Sequence, residues 1–149
     1  MKVRDLMESQ IISIPETATY EEAARVLSQN KINGVLVLNE SGKVIGIVSD
    51  KDLFRILYPF STSFFENPEL YLDLESREHK IEDVRQKPVS VFMTKNVHSI
   101  EPDVPIMRAG AIMLAKHVHR LPVIENGNLI GIITRSQIYG ALLDSYIQE

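Results

Sequence analysis

The sequence predicts an α+β fold built from two β-α-β-β-α units. Three observations predict it: an internal repeat of long period, apolar runs in hairpin-like pairs, and helix-start signatures at matching places in both copies. Set against itself at an offset of 86, the 149-residue chain places Ser13 on Ser99, Ile14 on Ile100, Ala23 on Ala109 and Val37 on Val123 without a gap. Dropping one residue from the turn Asn39-Glu40-Ser41-Gly42-Lys43 reduces the offset to 85, and Gly46 then meets Gly131, Ile47 meets Ile132, Ser49 meets Thr134 and Leu57 meets Leu142. Val3 and Met7 fall on Val89 and Met93. A solenoid needs three or more stacked units, so a long period present twice reads as two copies packed against each other.

Each copy opens on a short β-rich run, IISI and VHSI. In the first copy Thr19-Tyr20-Glu21-Glu22 has the form of a capping box, and Ala23, Val26 and Leu27 follow at helical spacing. The matching helix starts near Pro105, a residue suited to a first turn, and presents Ile106, Ala109, Met113 and Leu114. Next come GVLVL and RLPVI, the turns NESGK and ENGN, and then VIGIV and LIGII, which pair as hairpins. A second helix closes each copy, starting at Ser49 and at Thr134.

Residues 58 to 88 have no counterpart, so the chain divides into a first domain at 1–57, a connection at 58–88 and a second domain at 89–149. The connection holds Tyr58, Phe60, Phe64, Phe65 and Tyr71, half of the ten aromatic residues. Asn67-Pro68-Glu69 marks a helix start running into ELYLDLESREHKIEDV. This segment reads either as a crossover packed on the repeats or as a dimer contact or lid.

Composition narrows the function classes. The chain is 44% hydrophobic, enough for a real core, and carries a net charge of −4 with its 16 basic residues scattered, which disfavours a nucleic-acid surface. Cysteine is absent, removing disulfides, thiolate metal sites and a cysteine nucleophile together. MKVRDLMESQ lacks the apolar run of a signal peptide, and no window approaches the roughly 18 apolar residues of a membrane helix, so a cytoplasmic location is expected.

GIVSDKDL, GIITRSQI and HRLPVIENGNLIGIIT carry a family resemblance. Two β-α-β-β-α copies, each with Gly-apolar-apolar-Ser/Thr closing a hairpin and opening a helix, resemble the cystathionine β-synthase (CBS) domain pair, or Bateman module. The last stretch is close to the form seen in the adenylate-sensing γ subunit of AMP-activated protein kinase. The resemblance covers 1–57 and 89–145. It implies a pseudo-twofold pair with adenine nucleotides bound in the clefts between the copies, and further dimerisation through helices.

A helix N-terminus offers unpaired N–H groups, and a carboxylate there accepts two hydrogen bonds from a ribose diol. By the resemblance, Ser49 and Asp52 hold the ribose of one site, with Ile47 and His98 against the adenine, and His119 and Arg120 hold the phosphates. Arg135 and Ser136 stand close to the same helix start, and Arg4, Lys51 and Lys95 are weaker candidates. The matching second site uses Ile12, Ser13, Asn33, Ile132, Thr134 and Gln137. It is expected to bind a ribose more weakly or not at all, because an amide at Gln137 lacks the two charged acceptors of Asp52. Ser49-x-x-Asp52 and Thr134-x-x-Gln137 are equally accounted for as capping boxes that only start helices. His98, His117 and His119 lack the acid or thiol partners of a metal site, and none is assigned.

There is no Gly-x-Ser-x-Gly elbow, phosphate-cradling Gly-rich loop or His-Glu-x-x-His, so a sensor and not an enzyme is expected. The regulatory ligand expected from the resemblance is AMP first and then ADP or ATP, since one Arg and one or two His suit a monophosphate best. S-adenosylmethionine is the substitute. A homodimer and an unnamed effector protein are the expected partners, and the rival reading is a structural dimerisation module without ligand.

Overall fold

The computed structural model describes residues 1–58, 65, 66, 68–71 and 78–147. In chain order the elements are α1 (Val3–Leu6), β1 (Ser13–Pro15), α2 (Tyr20–Asn30), β2 (Gly34–Leu38), β3 (Val44–Ser49), α3 (Asp50–Arg55), α4 (Lys80–Val84), α5 (Ile106–Lys116), β4 (Arg120–Glu125), β5 (Asn128–Thr134) and α6 (Arg135–Tyr146). Short 3-10 turns lie at Pro68–Tyr71 and Val89–Val91. The chain forms two compact units: residues 13–40 with 45–95, and residues 1–12 with 41–44 and 96–149. The stretch carrying Val89 and Met93 therefore belongs to the unit built on the first repeat, and the stretch carrying Val3 and Met7 to the unit built on the second.

In the first unit β2 is the middle strand of a three-stranded sheet, with β1 parallel to it at Ser13 opposite Leu36, Ile14 opposite Val37 and Pro15 opposite Leu38. Its continuous apolar sequence matches a strand buried from Gly34 to Val37. The capping box at Thr19 is formed: the Glu22 N–H donates to Thr19 Oγ1 at 3.2 Å, and the Glu22 carboxylate accepts the Thr19 N–H at 2.9 Å. The next two N–H groups, of Tyr20 and Glu21, donate to the carbonyls of Lys87 and Arg85 at 2.8 and 3.1 Å. The segment after α4 thus satisfies donors that a helix start leaves open, and Arg85 adds an ion pair to Glu21 at 2.8 Å. Tyr20, Ala23 and Leu27 of α2 pack with Ile14, Val35, Val37, Val48 and Leu53, and Val84 and Val89 complete that core. Each such buried side chain contributes about 1.5–3 kcal/mol of transfer free energy.

The second unit repeats this plan with one contraction. VHSI, expected as a strand, is reduced to a single parallel bridge at Ile100 opposite Val123, so His98 lies outside any strand. The cause is proline. The Ile100 N–H donates to the Pro122 carbonyl at 3.0 Å and its carbonyl accepts the Ile124 N–H at 2.9 Å. Extending the ladder either way needs an N–H from Pro122 or Pro102, which neither has. Glu16, the counterpart of Pro102, makes the corresponding bond to the Leu38 carbonyl at 3.2 Å. β4 and β5 pair antiparallel and close at Asn126-Gly127, whose φ values of 52° and 78° are those of a type I′ turn. Ile106, Ala109 and Met113 of α5 enter the core with Val3, Leu121, Val123, Ile133 and Ile138. Leu114, expected on that face, falls off the stripe set by Ile106, Ala109 and Met113 and is exposed.

Of the connection, Phe60 and Phe64 lie outside the described residues, as does Asn67. The helix expected there is, among the described residues, the 3-10 turn and the five residues of α4. Phe65 is exposed, and Tyr58 meets Phe54 edge-on with ring centroids 5.2 Å apart.

The glycine that opens both repeated signatures has a steric cause. At Gly46 an added Cβ would run into the Met93 thioether and approach the Thr94 carbonyl oxygen to 3.2 Å. At Gly131 it would meet Met7 Sδ at 2.7 Å and the Glu8 carbonyl at 3.1 Å. Gly46→Ala and Gly131→Ala are each expected to lower stability by about 1–3 kcal/mol through overpacking. Denaturant or thermal unfolding measures this, and an unchanged melting temperature in both variants would show that the crossing segments yield freely.

Candidate functional site

The start of α3 is organised around one carboxylate. Ser49 is the N-cap and its Oγ accepts the Asp52 N–H at 3.2 Å. Asp52 Oδ2 accepts the Ser49 N–H at 2.9 Å and the Ser49 hydroxyl at 3.0 Å. Arg55 donates to Oδ1 at 2.9 Å, and the Thr94 hydroxyl lies 3.1 Å from Oδ1 and 3.3 Å from Oδ2. Asp52 is 3% exposed and is the buried charged side chain among the described residues. Four donors thus meet a group that offers about four lone-pair positions, which removes the penalty of burying it. Thr94 is held for this by two backbone bonds with Ile47, each 2.9 Å.

The other donors of this short helix start are also engaged. The Lys51 N–H donates to Asp50 Oδ1 at 2.7 Å, and the Asp50 N–H to the Asn33 carbonyl at 3.1 Å. The first turn carries Asp50 and Asp52, with Lys51 between them and Arg55 paired to Asp52 at 2.9 Å. The Asp52 carboxylate accepts from a hydroxyl, such as one of a diol, and repels a phosphate.

The start of α6 builds the same cap with opposite charge. The Thr134 N–H donates to Gln137 Oε1 at 2.8 Å, and the Gln137 N–H to Thr134 Oγ1 at 3.3 Å. The Arg135 N–H donates to the His119 carbonyl at 2.9 Å, and Arg120 stands opposite Thr134 in the β4–β5 register. His119, Arg120 and Arg135 therefore gather at one corner, with Ser136 next in the chain and no acid in the first turn. Such a corner suits an anion. Ile132 lies on β5 and exchanges backbone bonds with Glu8 at 2.8 and 3.0 Å.

The sequence-predicted residues therefore fall into two sets. Ser13, Asn33, Ile47, Ser49 and Asp52 belong to the first unit, while Ile12, His98, His119, Arg120, Ile132, Thr134, Arg135, Ser136 and Gln137 belong to the second. His98 is half-buried, two residues before the Ile100 bridge. Lys51 and Lys95 are exposed. Arg4, named as a weaker phosphate candidate, is committed elsewhere: it pairs with Asp103 at 2.9 Å and Glu125 at 2.8 Å. Hydrogen bonds to these two acids raise its pKa, and Arg4 holds the Asp103 carboxyl below the usual carboxylate range. His117 and His119 do not share a strand face. His117 is the left-handed C-cap of α5 at φ 55°, matching Lys31 at φ 52° on α2, and His119 precedes β4. Among the described residues no group of three or more His, Cys, Asp or Glu is placed to hold a metal ion, and no helix is long and apolar enough to cross a membrane.

Thr94 and Arg55 were missed by sequence reasoning, although the repeat carries a signal for both. Opposite Thr94 stands Glu8 and opposite Arg55 stands Gly140, so these positions change together with Asp52 and Gln137.

The model of the CBS domain matches residues 3–59 and 82–144. The chain belongs to the CBS-domain family. An uncharacterized protein of Methanocaldococcus jannaschii is 30% identical over 155 residues, covering 96% of this CBS-domain chain and 92% of the relative. Among solved structures, CBSX2 in complex with AMP superposes with a TM-score of 0.73 at 24% identity, covering 97% of both chains. The CBS domain pair of MJ0100, in complex with 5′-methylthioadenosine and S-adenosyl-L-methionine, gives a TM-score of 0.73 at 20% identity over 97% of this chain and 98% of its own. These two likenesses establish the fold of a CBS-domain pair.

Thr94→Val leaves the buried Asp52 carboxylate one donor short and is expected to cost about 1–3 kcal/mol. Glu8→Ala, at the exposed counterpart position, should stay within about 0.5 kcal/mol of wild type. Unfolding curves of the two variants check the contrast, and equal losses would refute the role given to Thr94.

Proposed function

We propose that this CBS-domain protein is a regulatory module that binds an adenosine ligand, AMP ahead of ADP and ATP, and passes on its presence as a change of conformation or assembly. The observation that carries the reading is the difference between two otherwise equivalent helix starts: a carboxylate acceptor at Asp52 on one, cations at Arg120 and Arg135 with His119 beside them on the other. A nucleoside monophosphate has the complementary division, a diol at one end and an anion at the other. The AMP complex of CBSX2 supports this choice within the same fold.

Such a ligand shifts the protein toward the state it binds better, by as much as its differential affinity allows. An effector protein then responds to that state. Second copies of the chain are the expected assembly partner, supported by exposed apolar side chains on the helices: Phe54 on α3, Met107 and Leu114 on α5, and Tyr139 and Tyr146 on α6. S-adenosylmethionine is the second reading, favoured by the MJ0100 complex and opposed by Arg120 and Arg135, which repel a sulfonium. The Ser49 and Thr94 hydroxyls bonded to Asp52 are read as serving the helix cap and ligand binding, and the module as non-catalytic.

Thermal shift with AMP, ADP, ATP and S-adenosylmethionine tests the proposal. AMP at about 100 times its dissociation constant should stabilise the protein by about 2.7 kcal/mol. Asp52→Ala or Arg120→Ala should abolish most of the ligand-induced shift, and Gln137→Ala should leave it nearly intact. No shift with any of the four ligands at millimolar concentration would instead support the structural dimerisation module.

A further inference from the structure

The four donors on the Asp52 carboxylate are not held equally. Both Ser49 groups belong to the helix cap, and Thr94 is fixed by its two backbone bonds to Ile47. Arg55 alone reaches the carboxylate from a long side chain that is 64% exposed. Its bond to Oδ1 therefore gives way most readily, since an ion pair of a solvent-exposed side chain is weak and salt-sensitive.

The second unit shows that the cap does not need this cation. There the Thr134–Gln137 box forms with Gly140 in the place of Arg55. Nothing lies within 4 Å of where a Gly140 Cβ would stand, so the cation's absence is not forced by packing. The arginine accompanies the acid and not the helix start.

We propose that Arg55 sets the affinity of the Asp52 acceptor, occupying Oδ1 in the unliganded protein and yielding that position to a hydroxyl of the incoming diol. This rests on the reading of Asp52 as the ribose acceptor. In the exchange the carboxylate keeps its Ser49 and Thr94 donors and replaces one N–H donor by an O–H donor, so it is never left bare in a buried place. The guanidinium is released to water. Because the ion pair must open first, the apparent affinity is the intrinsic affinity multiplied by the fraction of molecules with Oδ1 open.

Adenosine is the suitable probe, because it is neutral and its own contacts are little screened by salt. By calorimetric titration of the full chain, Arg55→Ala should bind adenosine about two- to fivefold more tightly than wild type, the range of a weak ion pair. Raising the salt from about 0.05 to 0.5 M should strengthen adenosine binding to wild type and leave Arg55→Ala unchanged. Arg55→Gln, which keeps the length of the stem without the charge, should follow Arg55→Ala. Measurable wild-type binding with equal or weaker binding in both variants would overturn the role of Arg55 while leaving the adenosine reading intact. No binding of adenosine or AMP to wild type or to either variant would overturn the adenosine reading and this inference with it.

Discussion

Two backbone crossings set the rest of the structure. In one unit the segment around Met93 and Thr94 crosses β3 at Gly46, joined to it by paired bonds between Thr94 and Ile47. In the other, Met7 and Glu8 cross β5 at Gly131 and pair with Ile132. Each crossing places a methionine side chain over a residue that must lack a Cβ, and each stands just before the helix whose start carries the polar residues. The glycine therefore serves the approach of a second backbone, and the residue after the methionine is delivered to the helix start. In one unit that residue is Thr94, which donates to Asp52; in the other it is Glu8, which has Gln137 and not an acid at the matching place; both are exposed.

The common crossing makes the difference between the two helix starts informative. Their caps are equivalent in geometry, with each N-cap N–H bonded to the side chain three residues on, at 2.9 Å in one and 2.8 Å in the other. The geometry of the cap consequently does not distinguish Asp from Gln at that position. What distinguishes them is charge and the company it keeps: Asp52 is surrounded by donors from Ser49, Arg55 and Thr94, whereas Gln137 has Arg120 and Arg135 nearby and a glycine in the place of Arg55.

Much of this was legible in the sequence because it depends on local rules. The capping boxes at Thr19, Ser49 and Thr134, the Asn126-Gly127 turn and the buried apolar runs follow from patterns a few residues long. The loss of the VHSI strand was less visible, because it depends on Pro122 of a different strand failing to donate across the ladder, together with Pro102. The ion pairs of Arg4 were invisible for a similar reason. Its partners Asp103 and Glu125 are about a hundred residues away in the chain, and only the fold brings them within hydrogen-bond distance. Thr94 escaped notice because a hydroxyl outside any motif carries no sign of the carboxylate it will meet.

The structural and functional readings of Asp52 do not exclude each other, because a carboxylate has two oxygens. Oδ2 accepts from both Ser49 groups and so does the work of the helix cap. Oδ1 accepts from Arg55, and the Thr94 hydroxyl stands nearer to it than to Oδ2. Gln137 can reproduce only the first of these duties, because its amide offers one uncharged acceptor oxygen, the one that accepts the Thr134 N–H. The cap alone would tolerate either side chain. An acid with a second, charged acceptor beyond the cap gives one unit a polar group whose partner can be exchanged, and on the proposed reading that is where a ligand hydroxyl is taken up.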